Sequence, residues 1–147
     1  DISAFACEFA TENARLNGLE NVVHFVEANA FDLLAEQSRA GVKYDVVILD
    51  PPAFTKTRSA IEAATRGYKE INLRAMKMVK PGGYLITCSC SQHILPDAFM
   101  HIVRDAAHDA HVQLRQVEYR TQGRDHPILP AAPETQYLKC GIFQIFD

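Results

Sequence analysis

An open, mostly parallel α/β sheet is the fold class that this sequence predicts, and three observations carry the prediction. The run Tyr44-Asp45-Val46-Val47-Ile48-Leu49 is almost continuously apolar, which is how a strand buried on both faces of a parallel sheet reads. Segments of helical periodicity alternate with short β-branched runs along the chain. A long helical stretch, from about Ser59 to Lys80, separates two of those runs and supplies the crossover that a parallel pair needs.

The elements follow in order. Ser3 is placed to cap a helix that carries Phe5, Phe9, Ala10, Ala14 and Leu16 toward a core, and Asn17-Gly18 ends it. Val22 to Val26 reads as a strand, Phe31 to Arg39 as a helix closed by Gly41. The strand Tyr44–Leu49 is stopped by Pro51 and Pro52. After the long helix, Pro81-Gly82-Gly83 makes a break before the strand Tyr84 to Cys88. A helix from about Asp97 to Ala110 precedes two more apolar runs, Val112 to Tyr119 and Tyr137 to Phe146, which read as strands around a polar segment carrying Pro127, Pro130 and Pro133.

At 147 residues with 48% hydrophobic content, the chain has the size and composition of one domain. A net charge of -3 argues against a surface that grips nucleic acid mainly by neutralising phosphates, so an RNA substrate would draw its affinity from another segment. Cys7, Cys88, Cys90 and Cys140 make no metal-ligand pattern, and without a secretory segment they read as free thiols of a soluble, cytoplasmic protein. No apolar run is long enough to cross a bilayer.

Ligands of open α/β sheets bind beyond the carboxyl ends of the strands, which directs attention to three places: Ala28-Asn29-Ala30, Asp50-Pro51-Pro52 and Ser89-Cys90-Ser91. Two consecutive prolines make a rigid turn stripped of two backbone donors, and the carboxylate beside them can accept from an amino group or a protonated ring nitrogen. The same residues could simply terminate a strand. Cys90 could be a small buried hydrophobe, although its position past a strand end and its serine flanks favour a working thiol; Cys88, inside the strand, is the better core thiol. Adjacent strands lie about 4.8 Å apart, so Asp50 and Cys90 reach one planar ligand if their strands are neighbours.

The segments Asp1-Ile2-Ser3, Asn13-Ala14-Arg15-Leu16-Asn17-Gly18-Leu19, Asp45 to Phe54, Arg66-Gly67-Tyr68-Lys69-Glu70-Ile71-Asn72, Cys88 to Ser91, Asp125-His126-Pro127, Pro133-Glu134 and Tyr137-Leu138-Lys139, in this order and spacing, resemble the cytosine-C5 methyltransferases of large-subunit ribosomal RNA. The resemblance extends over essentially the whole chain. It implies a Rossmann-like class I methyltransferase sheet, mostly parallel with an antiparallel C-terminal strand, that lacks the first strands and the glycine-rich loop. Residues 1–147 would then be the C-terminal part of one catalytic domain, exposing two unpaired strand edges and, alone, inactive.

The same resemblance implies S-adenosyl-L-methionine as cofactor, with Asp1 at its ribose, Asn29 in place of the usual Asp at its adenine, and Ala30, Asp50 and Pro51 completing the cofactor set. Cys90 would add to C6 of cytosine while Asp50 holds the base edge; Ala53 stands where some relatives carry a second cysteine, so a one-cysteine scheme follows. Pro52, Phe54 and Arg66 would meet the substrate, Phe54 by stacking and Arg66, with Lys69 or Arg74, at phosphates, though a core aromatic and a solvated helix face explain these equally. Ribosomal RNA is the partner implied, a homodimer is compatible, and neither metal nor membrane is called for. An amino-group methyltransferase using Asp50-Pro51-Pro52 with Cys90 as bystander, and a non-catalytic binding module, are the competing classes.

Overall fold

The computed structural model describes residues 1–55 and 57–146. Ser3 caps the first helix as its sequence position predicts: its hydroxyl accepts from the Ala6 amide, and α1 (Ala4–Leu16) ends at Asn17, with Gly18 at φ +66°. The apolar residues of α1 do not face a core. Phe5, Phe9 and Leu16 are 75%, 61% and 67% exposed, and Ala14 is the buried position of the helix. Among the described residues no strand lies beneath α1 to cover them, which corrects the expected inward face.

Val22 to Val26 is likewise not a strand, for a related reason. A β-branched run forms a ladder only where a partner supplies donors and acceptors. Here the segment has one tie of that kind: the Asp1 nitrogen donates to the Val26 carbonyl at 2.9 Å, and the Ala28 amide donates to the Asp1 carbonyl at 2.8 Å. That alternation is the repeat of a parallel bridge, confined to a single residue. Asn29 then caps α2 (Ala30–Arg39), its side-chain oxygen accepting from Phe31, and Gly41 follows at φ +72°.

The sheet holds β1 (Tyr44–Leu49), β2 (Val79–Ser89), β3 (Gln113–Arg120) and β4 (Lys139–Phe146) in the order β1-β2-β4-β3. β1 is parallel to β2, and β4 pairs antiparallel with both β2 and β3, so β1, β2 and β3 share one direction and the C-terminal strand opposes them, as predicted. The crossover from β1 to β2 is α3 (Ile61–Met78), entered through a short 3-10 turn, Arg58–Ala60. α4 (Pro96–Ala110) packs beside α3, and the two bury Tyr68, Ile71, Phe99, Val103 and Ala106 against Leu85, Phe143 and Ile145 of the sheet. Each such side chain stabilises the fold by about 1.5–3 kcal/mol on burial.

β1 is buried on one face, not two. Leu49 and Val47 join the core, while Val46 and Ile48, pointing the other way, are 47% and 63% exposed. β1 is also the edge of the sheet, so its outer row of backbone groups has no ladder among the described residues. No helix of those residues is long and apolar enough to cross a membrane.

The helix-to-strand boundary differs from the expected one. α3 ends at Met78, and β2 begins at once with Val79 opposite Tyr44, so Pro81-Gly82-Gly83 lies inside the strand as an irregularity between the Tyr44 and Val46 pairings. Gly82 takes φ +80°, and a Cβ on Gly83 would stand 2.6 Å from the Asp45 carbonyl oxygen. Backbone cannot yield as a flexible side chain can. Gly83→Ala is therefore expected to lower stability by about 1–3 kcal/mol, read as a fall in the denaturant midpoint, with Gly82→Asn costing less because Asn tolerates positive φ.

Candidate active site

The pairing of Leu49 with Thr87 makes the ends of β1 and β2 neighbours, so the turn beginning at Asp50 and the turn containing Cys90 lie side by side. The adjacency inferred from the sequence is present: the Cys90 Sγ is 4.0 Å from the Pro51 carbonyl oxygen, the separation of a weak S–H donor and its acceptor. A cleft of about 660 Å³ opens beside the Asp50 turn, walled by Asp1, by Ala28 to Phe31 at the start of α2, by Leu49 to Pro52 and by Phe54; Cys90 is not in its wall and meets it only through Pro51. Asp1, Asn29, Ala30, Asp50, Pro51, Pro52 and Phe54, all singled out from the sequence, thus meet around one space. Its volume lies in the range of small-molecule sites, roughly 300–1,000 Å³.

Arg66 does not join them. It stands exposed on α3 and pairs with Glu62, while Lys69 pairs with Asp109 and Arg74 with Glu70, so each cation expected at phosphates already has a carboxylate. Phe54 lines the cleft but is held by its own neighbours, its ring centroid 4.5 Å from Tyr68 and 5.6 Å from Phe31. Gly67 makes room for it, since a Cβ there would stand 3.2 Å from the Phe54 ring. That contact accounts for a glycine inside a helix, where it costs about 1 kcal/mol relative to alanine.

The polar groups of the cleft are unequally occupied. Asp50 is exposed and its carboxylate has no hydrogen-bond partner among the described residues, leaving both oxygens to accept from a ligand. Asp1 spends Oδ1 on the Ser3 amide at 2.8 Å and keeps Oδ2. Asn29 spends a lone pair of Oδ1 on the Phe31 amide as the α2 cap, so its Nδ2 donors are what it chiefly offers. Its role as the α2 cap and the expected contact with a ligand are therefore compatible.

Behind the cleft, Ser91 ties the two turns together. It is fully buried; its hydroxyl accepts from the Phe54 amide at 3.1 Å and lies 2.8 Å from the Tyr68 hydroxyl, while its carbonyl accepts from Lys139 Nζ at 2.7 Å. Lys139, only 2% exposed, also donates to the Tyr137 carbonyl at 2.9 Å. Burial pushes its ammonium down to about 8, against a smaller opposing pull from Cys90. Cys88 is the inert thiol that its place in the strand suggested: burial, then a hydrogen bond with Cys140, pushes it up to about 12.

Sequence reasoning gave Tyr68 and Lys139 no role. Tyr68 falls on the apolar stripe of α3 and is indistinguishable there from a core aromatic, and Lys139 sits at the start of a strand, where a lysine is ordinarily solvated. The signal available was their place in the segments Arg66 to Asn72 and Tyr137 to Lys139.

Residues 1–133 match the family described as "Methyltransferase domain". The chain is 44% identical over 140 residues to "Ribosomal RNA large subunit methyltransferase I" of Shewanella denitrificans, covering 95% of this chain and 35% of that protein. It therefore spans about a third of the length of the curated relatives it matches. Among solved structures it superposes on a putative methyltransferase complexed with SAH, at TM-score 0.82 and 16% identity, over 98% of this chain and 37% of the other. A putative SAM-dependent methyltransferase from Streptococcus mutans gives TM-score 0.81 at 16% identity, with the same coverage. At such identity these two likenesses establish the fold.

Two outcomes follow for the buried network. Ser91→Ala leaves the Tyr68 hydroxyl and the Phe54 amide without their shared partner and should cost about 1–3 kcal/mol of stability, whereas in a Tyr68→Phe background the same change should cost less; a double-mutant cycle by denaturant unfolding measures the difference. Lys139 binds fewer protons folded than unfolded between about pH 8 and the ordinary lysine value near 10.4. The cost of burying its charge is thus felt in full below that window and is relieved as pH rises through it, so stability rises with pH there. Lys139→Met should remove that rise from the stability profile.

Proposed function

We propose, from the fact that the chain belongs to the methyltransferase domain family, that it carries the reaction centre of an S-adenosylmethionine-dependent enzyme that methylates C5 of cytosine in large-subunit ribosomal RNA. One observation carries the reading above its rivals: a half-buried thiol, Cys90, stands beside the free carboxylate turn Asp50-Pro51-Pro52 at the ends of two adjacent parallel strands. An amino-group methyltransferase has use for the second feature and none for the first. The ribosomal RNA assignment is supported by the Shewanella relatives, which are named ribosomal RNA large subunit methyltransferase I.

The cofactor fits the cleft by size and by donor set. Asp1 retains Oδ2 for the ribose hydroxyls, Asn29 and Ala30 present the start of α2 to the adenine, and the apolar walls Leu33, Leu34 and Ile71 suit a planar base. Pro51 and Asp50 bound the end nearest Cys90. Bound there, S-adenosylmethionine supplies an electrophilic methyl group.

Cytosine is a poor carbon nucleophile, and Cys90 changes that. Its thiolate forms a bond to C6, and the electron pair of the C5–C6 double bond moves onto C5, which becomes able to accept a methyl group. Asp50 accepts from the amino edge of the base and favours a proton at N3, which offsets the charge that develops in the ring. Transfer of the C5 proton to water then restores the double bond and expels the thiolate. With Ala53 in place of a second cysteine, the scheme uses Cys90 alone, as nucleophile and then as leaving group.

RNA affinity belongs, on this reading, largely to the remainder of the full-length protein, of which residues 1–147 are the C-terminal part of the catalytic domain. The net charge of -3 and the carboxylate partners of Arg66, Lys69 and Arg74 support that division. Pro52 and Phe54 shape the wall met by the target base, Phe54 through its packed edge. Arg66 reaches a phosphate only by exchanging it for Glu62.

The test is a covalent trap. RNA containing 5-fluorocytosine should form a denaturation-resistant adduct with the full-length wild type and none with Cys90→Ala, because fluorine at C5 blocks release. Asp50→Asn should slow methylation by at least about 100-fold, the contribution of a positioned proton-handling group. Methylation surviving in Cys90→Ala, with the methyl group on an exocyclic nitrogen, would establish the amino-group reading instead.

A further inference from the structure

A lysine with its ammonium buried is costly unless something nearby uses the charge. Lys139 is buried to 2% exposure, yet its Nζ finds two carbonyl oxygens, of Ser91 at 2.7 Å and Tyr137 at 2.9 Å, and no carboxylate among the described residues. A carbonyl pair satisfies two of its three donors and leaves the charge uncompensated. The first of those carbonyls belongs to the residue directly after Cys90. Lys139 also pairs across the ladder with Ser89, the residue directly before it.

We propose that Lys139 is the positioning residue for Cys90: its ammonium clamps the Ser89-Cys90-Ser91 turn from behind and favours the Cys90 thiolate. A free thiol is mostly protonated near neutral pH and needs a cation or a base to become a nucleophile. None of the six histidines is hydrogen-bonded to Cys90, and Arg66, Lys69 and Arg74 of α3 are engaged with carboxylates. The titratable and charged groups around the pair are Cys88 at the end of β2, Asp50 beyond β1, Cys140 next to Lys139 on β4, Arg120 across from Cys140 on β3 with Tyr119 beside it, and Tyr68 of α3 through Ser91. Of these and Cys90, the one whose charge acts on Lys139 is Cys90.

The arrangement explains why the lysine is tolerated. An ammonium beside a thiolate is a neutral pair, so each lowers the desolvation cost of the other. The proton released from Sγ goes to solvent, to which half-buried Cys90 is open. Burial lowers the lysine's pKa and the charge of Cys90 raises it, burial being the larger of the two.

The inference rests on Cys90 being the working thiol, but its test needs no RNA. Full-length protein is treated with iodoacetamide, in which a thiolate displaces iodide, and Cys90 is followed by peptide mass spectrometry. Lys139→Met should slow alkylation of Cys90 about tenfold at neutral pH, one decade per pKa unit of lost thiolate, and the deficit should shrink as pH rises and hydroxide supplies the thiolate. Lys139→Arg, which keeps the charge, should restore most of the rate; equal rates in wild type and Lys139→Met overturn the proposal. If Lys139→Met unfolds, signalled by alkylation of the otherwise silent Cys88, the wild type decides. Its Cys90 rate should climb less steeply with pH around neutrality than in the urea-unfolded chain, and parallel profiles overturn the proposal. Should the 5-fluorocytosine adduct survive Cys90→Ala while the Lys139 effect is present, the nucleophile assignment fails and the lysine–thiol coupling stands.

Discussion

Because β1 and β2 run parallel and pair in unbroken register from Val46 and Tyr84 to Leu49 and Thr87, they must end at the same edge of the sheet. Everything chemical in this chain depends on that pairing. An antiparallel partner would send the Cys90 turn to the opposite end from Asp50, some six residues or about 20 Å away. The parallel ladder in turn requires the α3 crossover, and α3 is held by Tyr68, Ile71, Ala75 and Met76 in the same core that holds Leu85 and Phe143. Core packing and site geometry are one constraint.

The ladder brings the turns to the same edge but does not fix their shape, and that is the work of Ser91. Its hydroxyl takes the amide of Phe54, four residues past Asp50, and meets the hydroxyl of Tyr68, so one side chain couples both turns to the crossover helix. Buried polar groups of this kind hold geometry because the alternative to each bond is an unpaired donor in a medium without water. The prolines act on the same problem from the other direction, by removing conformations from the chain between Asp50 and Ala53. Asp50 consequently keeps a free carboxylate on a backbone that is not free.

Much of this was legible in the sequence, and the exceptions share a cause. α1, α2, α3 and α4 were all announced by periodicity, α1 also by its Ser3 cap, and the ends of α1 and α2 by Gly18 and Gly41, which take positive φ. The strand expected at Val22 to Val26 has the right residues but no neighbour among the described ones, and ladders are a property of pairs. Val46 and Ile48 were expected inside for the same reason: an apolar run reports what a strand can bury, and the neighbours decide what it does bury. Pro81-Gly82-Gly83 looked like a boundary because its backbone preferences are local, whereas Val79 pairs with Tyr44 across the sheet. Asp50, Pro51 and Pro52 were legible because they directly follow a buried strand, and Asp1 and Phe54 through the family resemblance, while Lys139 and Tyr68 act from behind and carry no such mark.

The two walls of the cleft differ in how firmly they are held, and the difference bears on how such a site works. The wall of Asp50 to Phe54 is bound to the sheet by the β1–β2 ladder and to the core through Ser91. The opposite wall, from Asp1 and Ala28 to Phe31, rests on two backbone hydrogen bonds between Asp1 and residues 26 and 28 and on the packing of α2 against α3. Around it lie Ile2, Phe5, Phe9, Val22 and Val26, all exposed, so little apolar burial opposes its local opening. A reaction centre tolerates displacement far less than a binding wall does, since misplacing a reacting group by about 1 Å costs about a hundredfold in rate. Order is thus concentrated around Cys90 and Asp50, on the ladder and the core, and the wall from Asp1 and Ala28 to Phe31 is the half of the cleft that can yield.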